Sequence, residues 1–254
     1  MISDSVSLHL GNTTIGNLRS NKMQSPLEAL KTELEHFGEK NDNAYSERSK
    51  RMLNITRDTG EFLSVMVRAT AARHILEIGT SNGYSTLWLA EAACTTGGSV
   101  TTVESSAYKA GLASDTFSRS GLSEYVTLVH DDAGATLTRV TDASIDLLFL
   151  DSERSEYRAW WDQIRRVLRP GGLLIVDNAI SHREQMTPFL NLVESDKDFT
   201  SILVPVGKGE FLAVKVRVTP SVVMTGNRPS KGIFIGFRQT RHPKVSAFLR
   251  SASL

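Results

Sequence analysis

Between residues 74 and 218 the chain alternates two rhythms. Short apolar runs, HILEI (74–78), SVTTVE (99–104), YVTLVH (125–130), IDLLFLD (145–151) and LLIVD (173–177), are each followed by a stretch in which apolar residues return every three or four positions. The first kind fits buried strands, the second amphipathic helices. The helical stretches are 84–93, 107–120, a short run after Asp132, 154–168 and 182–195. Two further apolar runs, 199–206 and 210–218, flank Gly207-Lys208-Gly209, a hairpin signal. Five strand–helix units closed by a hairpin predict an α/β fold. The sheet is doubly wound and Rossmann-like, with seven strands, mostly parallel, and an antiparallel C-terminal hairpin. Arg169-Pro170-Gly171-Gly172 reads as the turn before the fifth strand.

Ahead of residue 74 the pattern is helical. Ser25-Pro26-Leu27-Glu28 is a capping box with proline at the first helical position. Leu27, Leu30, Leu34 and Phe37 follow at helical spacing, and Gly38 is the expected stop. A second helix is expected over Tyr45 to Leu53 and a third from about Gly60 to Ala71. Residues 1–24 read as a flexible arm, 25–218 as the folded domain and 219–254 as a basic extension. Trp160 and Trp161 sit on an amphipathic helix and read as packing residues.

Composition narrows the function classes. The chain has 254 residues, with 29 Lys+Arg against 28 Asp+Glu. The balance is uneven: the segment from Val218 onward holds basic residues and no acidic ones. That tail lacks aromatic interleaving, so no nucleic-acid partner is expected; it reads as a solvated extension or a contact in a homodimer. The single cysteine, Cys94, excludes an intrachain disulfide and reads as a small packing residue. No signal peptide and no membrane-length apolar run is recognised, so a cytoplasmic location is expected.

The stretch GTSNG (79–83) carries the candidate chemistry and admits two readings. Gly79-x-Ser81-x-Gly83 is the pattern of a hydrolase nucleophile elbow, with Ser81 as nucleophile. However, an elbow lies deep in its sheet, and here the preceding strand is the first. The other reading is a strand-to-helix turn that lets a cofactor approach the backbone. Glu104 closes the second strand, where an acid can bind both ribose hydroxyls. The dinucleotide glycine set and the phosphate-loop lysine are both absent, and Glu77 would repel a phosphate. A cationic nucleoside without phosphate fits these residues: S-adenosylmethionine.

The ordered segments ILEIGTSNGYSTLWLA, VTTVESS, DLLFLDSERSEY, LRPGGLLIVDNAISH and VPVGKGEFLAVK, from about Met52 to Lys215, resemble class I S-adenosylmethionine-dependent O-methyltransferases of the catechol and caffeoyl-CoA type, especially their bacterial members. The resemblance makes residues 25–218 a methyltransferase domain acting on a small-molecule acceptor. It implies that Glu77, Gly79, Thr80 and Ser85 contact the methionine part of the cofactor, with Tyr84 lining that pocket. Ile55 would make a backbone contact from the far side. Glu104 would hold the ribose, Asp132 and Ala133 would meet the adenine, and Glu153 would be an acid near the cofactor amine.

Asp151 ends the fourth strand, and Asp177 and Asn178 end the fifth. Three hard oxygen donors without Cys or His suit Mg²⁺, Mn²⁺ or Ca²⁺. The family uses this set for a divalent metal that grips two vicinal oxygens of the acceptor. It places a lysine base three residues after the first aspartate, where this chain has Arg154. Arginine does not deprotonate near neutral pH, so Arg154 is expected to hold an anionic acceptor or orient Glu153. His182, after DNAIS, is the remaining candidate base. Loss of catalysis through the Arg154 change, leaving a cofactor-binding module, is the non-enzymatic alternative.

Overall fold

The computed structural model describes residues 25–216; the expected arm and basic extension lie outside them. Helix α1 (Pro26–Ala44) starts as the capping box predicts, the Ser25 side chain accepting the Glu28 backbone N–H. It does not stop at Gly38 but runs on to Ala44. Gly38 is buried under Asn54, and a Cβ there would meet the Asn54 amide at 2.6 Å. This glycine marks a close crossing rather than a helix end. The expected helix over 45–53 is a single short turn, η1 (Arg48–Lys50), followed by extended chain. Asp42 ties that chain down by accepting the backbone N–H of Met52 and Leu53. Helix α2 (Arg57–Thr70) then leads to the sheet.

The strands are β1 (His74–Ile78), β2 (Ser99–Glu104), β3 (Val126–His130), β4 (Ile145–Leu150), β5 (Leu168–Val176), β6 (Phe199–Val204) and β7 (Glu210–Lys215). They form one sheet in the order β3-β2-β1-β4-β5-β7-β6. The first five are parallel, and β7 runs antiparallel between β5 and β6. The alternation of strand and helix signals thus gives the expected doubly wound sheet. Helices α3 (Tyr84–Thr96), α4 (Ala107–Ser120), α5 (Ala133–Arg139), α6 (Tyr157–Val167) and α7 (Arg183–Glu194) complete it. Two apolar layers, one on each face, hold the sheet. Trp160 and Trp161 are buried in one of them, against Tyr157 and Phe199 respectively.

Two local expectations are corrected. Residues 169–172 are not a free turn but a bulge inside β5. Leu168 pairs with Ile145 and Leu173 with Leu147, so the four residues face Asp146 alone. The Asp146 carboxylate takes the Arg169 guanidinium and the backbone N–H groups of Arg73 and His74, which pins the bulge. Cys94 is exposed rather than packed, because it falls on the outer face of α3, away from the buried alanines Ala90, Ala92 and Ala93. Among the described residues no helix is long and apolar enough to cross a membrane.

Candidate active site

The carboxyl ends of β1, β2, β4 and β5 open into a cavity of about 810 Å³. It lies beside β1, where the chain order turns from β2 on one side to β4 on the other, the place where open α/β sheets bind ligands. Ile55, Gly79, Thr80, Tyr84, Ser85, Glu104, Asp132, Ala133, Asp151, Glu153, Arg154, Asn178 and His182 all line it. Glu77 and Asp177 do not.

The GTSNG turn explains one half of the cavity. Gly79 has φ +108°, and a Cβ there would run into the Asp151 carbonyl oxygen. Only glycine lets β1 leave the sheet this close to the end of β4. The Gly79 and Thr80 N–H groups both donate to the Val103 carbonyl. Glu104 accepts the N–H of Ser81 at 2.8 Å and of Ser106 at 2.9 Å, so it fastens two loops while still facing the cavity. Asp132 caps α5 through the Ala135 N–H, which sets Ala133 in the first helical turn at the far end. The Tyr84 hydroxyl donates to Glu35, which also pairs with Arg57.

Ser81 is not a nucleophile. Its hydroxyl donates to the Met52 carbonyl at 2.7 Å, and no base among the described residues is hydrogen-bonded to it. Among the described residues the His182 ring is hydrogen-bonded to Ser181 alone. The hydroxyl therefore closes residues 51–55 over the turn, and the elbow reading is withdrawn.

The expected contact of Glu77 with the cofactor meets a different geometry. Its side chain points behind the cavity wall and is fully buried. Its carboxyl accepts hydroxyl groups from Ser85 at 2.5 Å, Thr102 at 2.6 Å and Thr86. Burial pushes its pKa up to about 7 despite those donors. Glu77 is the knot that ties β1, β2 and the start of α3 together.

The other half of the cavity is built by the acids. The Asn178 amide nitrogen donates to Asp151 at 3.2 Å and to Asp177 at 2.6 Å, so the three side chains named from the sequence do converge. Asn178 reaches them from a left-handed backbone, φ +67°, which Asn tolerates better than most residues. A third acid joins them as the fourth side chain. Glu210, at the start of β7, is fully buried; Thr59 donates to one of its oxygens at 2.9 Å and the other has no hydrogen-bond donor. Burial and then mutual repulsion raise the pKa of Asp151 and of Glu210. Burial raises that of Asp177. The cluster gathers three carboxyl groups and has oxygen donors to spare, which fits a hard divalent cation. Among the described residues no three His, Cys, Asp or Glu side chains are arranged to hold a metal. A cation therefore needs the Asn178 amide turned to present its oxygen.

Cations ring this half. Arg154, in the short turn Arg154–Glu156, is 8% exposed; Lys208 lies in the β6–β7 turn and Arg48 in η1. Glu153 is exposed, with Arg48 at 3.8 Å. The pKa of His182 is lowered by burial, then by Arg154, Arg48 and Lys208, so the ring is neutral at neutral pH. Glu210, Lys208 and Arg48 were not named from the sequence. An acid opening an otherwise apolar strand was the available signal for Glu210; nothing local marked the other two.

The fold and cavity are those of a Rossmann-like methyltransferase. The profile of the O-methyltransferase family matches residues 28–216, and the chain belongs to that family. A catechol O-methyltransferase of Mycobacterium tuberculosis is 34% identical over 126 residues, which cover 50% of this chain and 57% of that one. The cofactor-bound structure of Rv0187 from M. tuberculosis is 25% identical, with a TM-score of 0.63 over 77% of this chain and 92% of that one. The Bacillus cereus O-methyltransferase in complex with SAH shares the fold at 24% identity, with a TM-score of 0.62 over 74% of this chain and 90% of that one. The family assigns O-methyl transfer to this chain.

Proposed function

We propose that the chain methylates one hydroxyl of a small vicinal-diol phenol, with a divalent cation, Mg²⁺ first among Mg²⁺, Mn²⁺ and Ca²⁺, held by Asp151, Asp177 and Asn178. The observation that carries this reading is the meeting of Asn178 with both carboxylates at the ends of β4 and β5, beside the GTSNG turn. When bound, the cofactor supplies an electrophilic methyl group and the cation acidifies a hydroxyl.

The chain's own residues bind, align and take the proton. Glu104 has lone pairs left for the ribose hydroxyls after accepting two backbone N–H groups. Ile55 and Tyr84 would wall the methionine part of S-adenosylmethionine with Gly79, Thr80 and Ser85, while Asp132 and Ala133 would border its adenine; all line the cavity. Glu153, on the same cavity wall, would stand near the cofactor amine. Alignment of acceptor, methyl and sulfur is the main service, worth up to roughly 7–11 kcal/mol in favourable cases. Arginine does not act as a base at neutral pH, so Arg154 is not the proton acceptor. His182, with its lowered pKa, is neutral and able to accept the hydroxyl proton.

Calorimetric titration with S-adenosylhomocysteine, then methylation of catechol with Mg²⁺ or with EDTA, tests the reading. Methylation that stops in EDTA and returns with Mg²⁺ is expected. Full activity in EDTA, with Asp151→Asn and Asp177→Asn near wild type, would leave the acids a structural role and the reaction metal-free.

A further inference from the structure

We infer that the methyl acceptor is itself an acid: a compact aryl diol bearing a carboxylate, which Arg154 and Lys208 bind. The inference rests on the aryl-diol reading above and narrows it. Arg154 is nine-tenths buried and lines the cavity, and its guanidinium has no hydrogen bond or ion pair within 4.0 Å among the described residues. Lys208 lines the same cavity, and its ammonium likewise has no ion pair among the described residues. The buried Nε of Arg51, also on the cavity wall, has no partner either.

The contrast with the other buried cation of this fold is direct. Lys31 is fully buried, but Glu28 and Glu91 pair with it at 2.9 and 2.8 Å and the Trp88 ring lies 3.5 Å away. A buried charge is normally answered in this way. Among the described residues no carboxylate comes within ion-pair distance of Arg154, which lines the cavity instead.

Asp151 and Asp177 do not supply it. They lie near enough to feel Arg154 and Lys208, yet neither forms an ion pair with them. With a divalent cation on those two carboxylates, both cations are left to face the acceptor uncompensated. The planar guanidinium fork matches a carboxylate bidentately, a match the ammonium of lysine cannot make. Arginine at this position thus exchanges a proton acceptor for an anion receptor. The cavity of about 810 Å³ has room for a compact aromatic acid beside the cofactor.

The test is calorimetry on the full chain saturated with S-adenosylhomocysteine and Mg²⁺, at pH 7.5 and low salt. The probes are 3,4-dihydroxybenzoate and 4-methylcatechol, which share the diol and differ in charge. Wild type is expected to bind the acid about tenfold or more tightly than the neutral diol, the scale of one charge-assisted hydrogen-bonded pair. Arg154→Gln and Lys208→Gln are each expected to shrink that ratio several-fold. Equal affinities in wild type, no binding of the acid, or a ratio unchanged in both variants overturns the inference. The wild-type arm stands alone if a variant fails to fold. Equal affinities with methyl transfer intact would remove this inference only, whereas failure to bind S-adenosylhomocysteine would remove the wider reading as well.

Discussion

Replacing Glu77 with glutamine tests how the sheet holds the cofactor turn. Glu77 is fully buried and its carboxyl is wrapped by three hydroxyl donors. Even so, burial raises its pKa from 4.5 to about 7. A raised folded-state pKa means that the folded chain holds the proton more tightly than the unfolded chain. The corresponding stability is fully present below about pH 4.5 and is lost as pH rises through about 7. At about 1.36 kcal/mol per pKa unit the loss amounts to roughly 3 kcal/mol. Glu77→Gln has no ionisation to undergo at this site. Urea unfolding of both proteins from pH 4.5 to 8 should give a difference curve that climbs by roughly 3 kcal/mol in the variant's favour. A constant offset of about 1 kcal/mol for each disturbed hydroxyl bond does not alter the slope. The raised pKa values of Asp151, Asp177 and Glu210 are common to both proteins and cancel to the extent that they are independent of Glu77. A flat difference curve would refute the reasoning, because it would mean that the hydroxyl donors fully offset burial and keep Glu77 ionised.

Four other outcomes follow from the same geometry. Glu104→Ala removes the acceptor of two backbone N–H groups and the ribose partner, so calorimetry should show S-adenosylhomocysteine affinity falling about tenfold or more; unchanged affinity would place the ribose elsewhere. Gly79→Ala forces a Cβ onto the Asp151 carbonyl at φ +108° and should abolish cofactor binding while circular dichroism still reports a folded sheet. Ser81→Ala loses one bond to the Met52 carbonyl, about 1 kcal/mol of stability, and should keep substantial methyl transfer. His182→Gln should remove the acidic limb of the pH–rate profile, which in wild type lies below the ordinary histidine value of about 6.5 because burial and the surrounding cations lower that pKa; an unaltered limb would assign the proton acceptor elsewhere.

The order of strands and helices was legible in the residue pattern because it is a local property: one or two turns of helix, or five residues of strand, already show their period. The GTSNG turn, the acid closing β2 and the Asp, Asp, Asn set were legible for a related reason, since strand ends in a parallel sheet face one edge by construction. What each side chain meets there is another matter. Glu77 reads as a cofactor ligand until the hydroxyls of Thr86 and Thr102 are seen closing on it, the latter 25 residues away. Gly38 reads as a helix stop until Asn54 packs on it. Glu210 enters the acid cluster because β7 inserts between β5 and β6, which brings residues 210 and 177 together. The unpaired state of Arg154 is likewise a fact about the space around it. Periodicity records which face of an element is apolar; only the packed sheet decides which distant groups share that face, and burial and unbalanced charge follow from those neighbours.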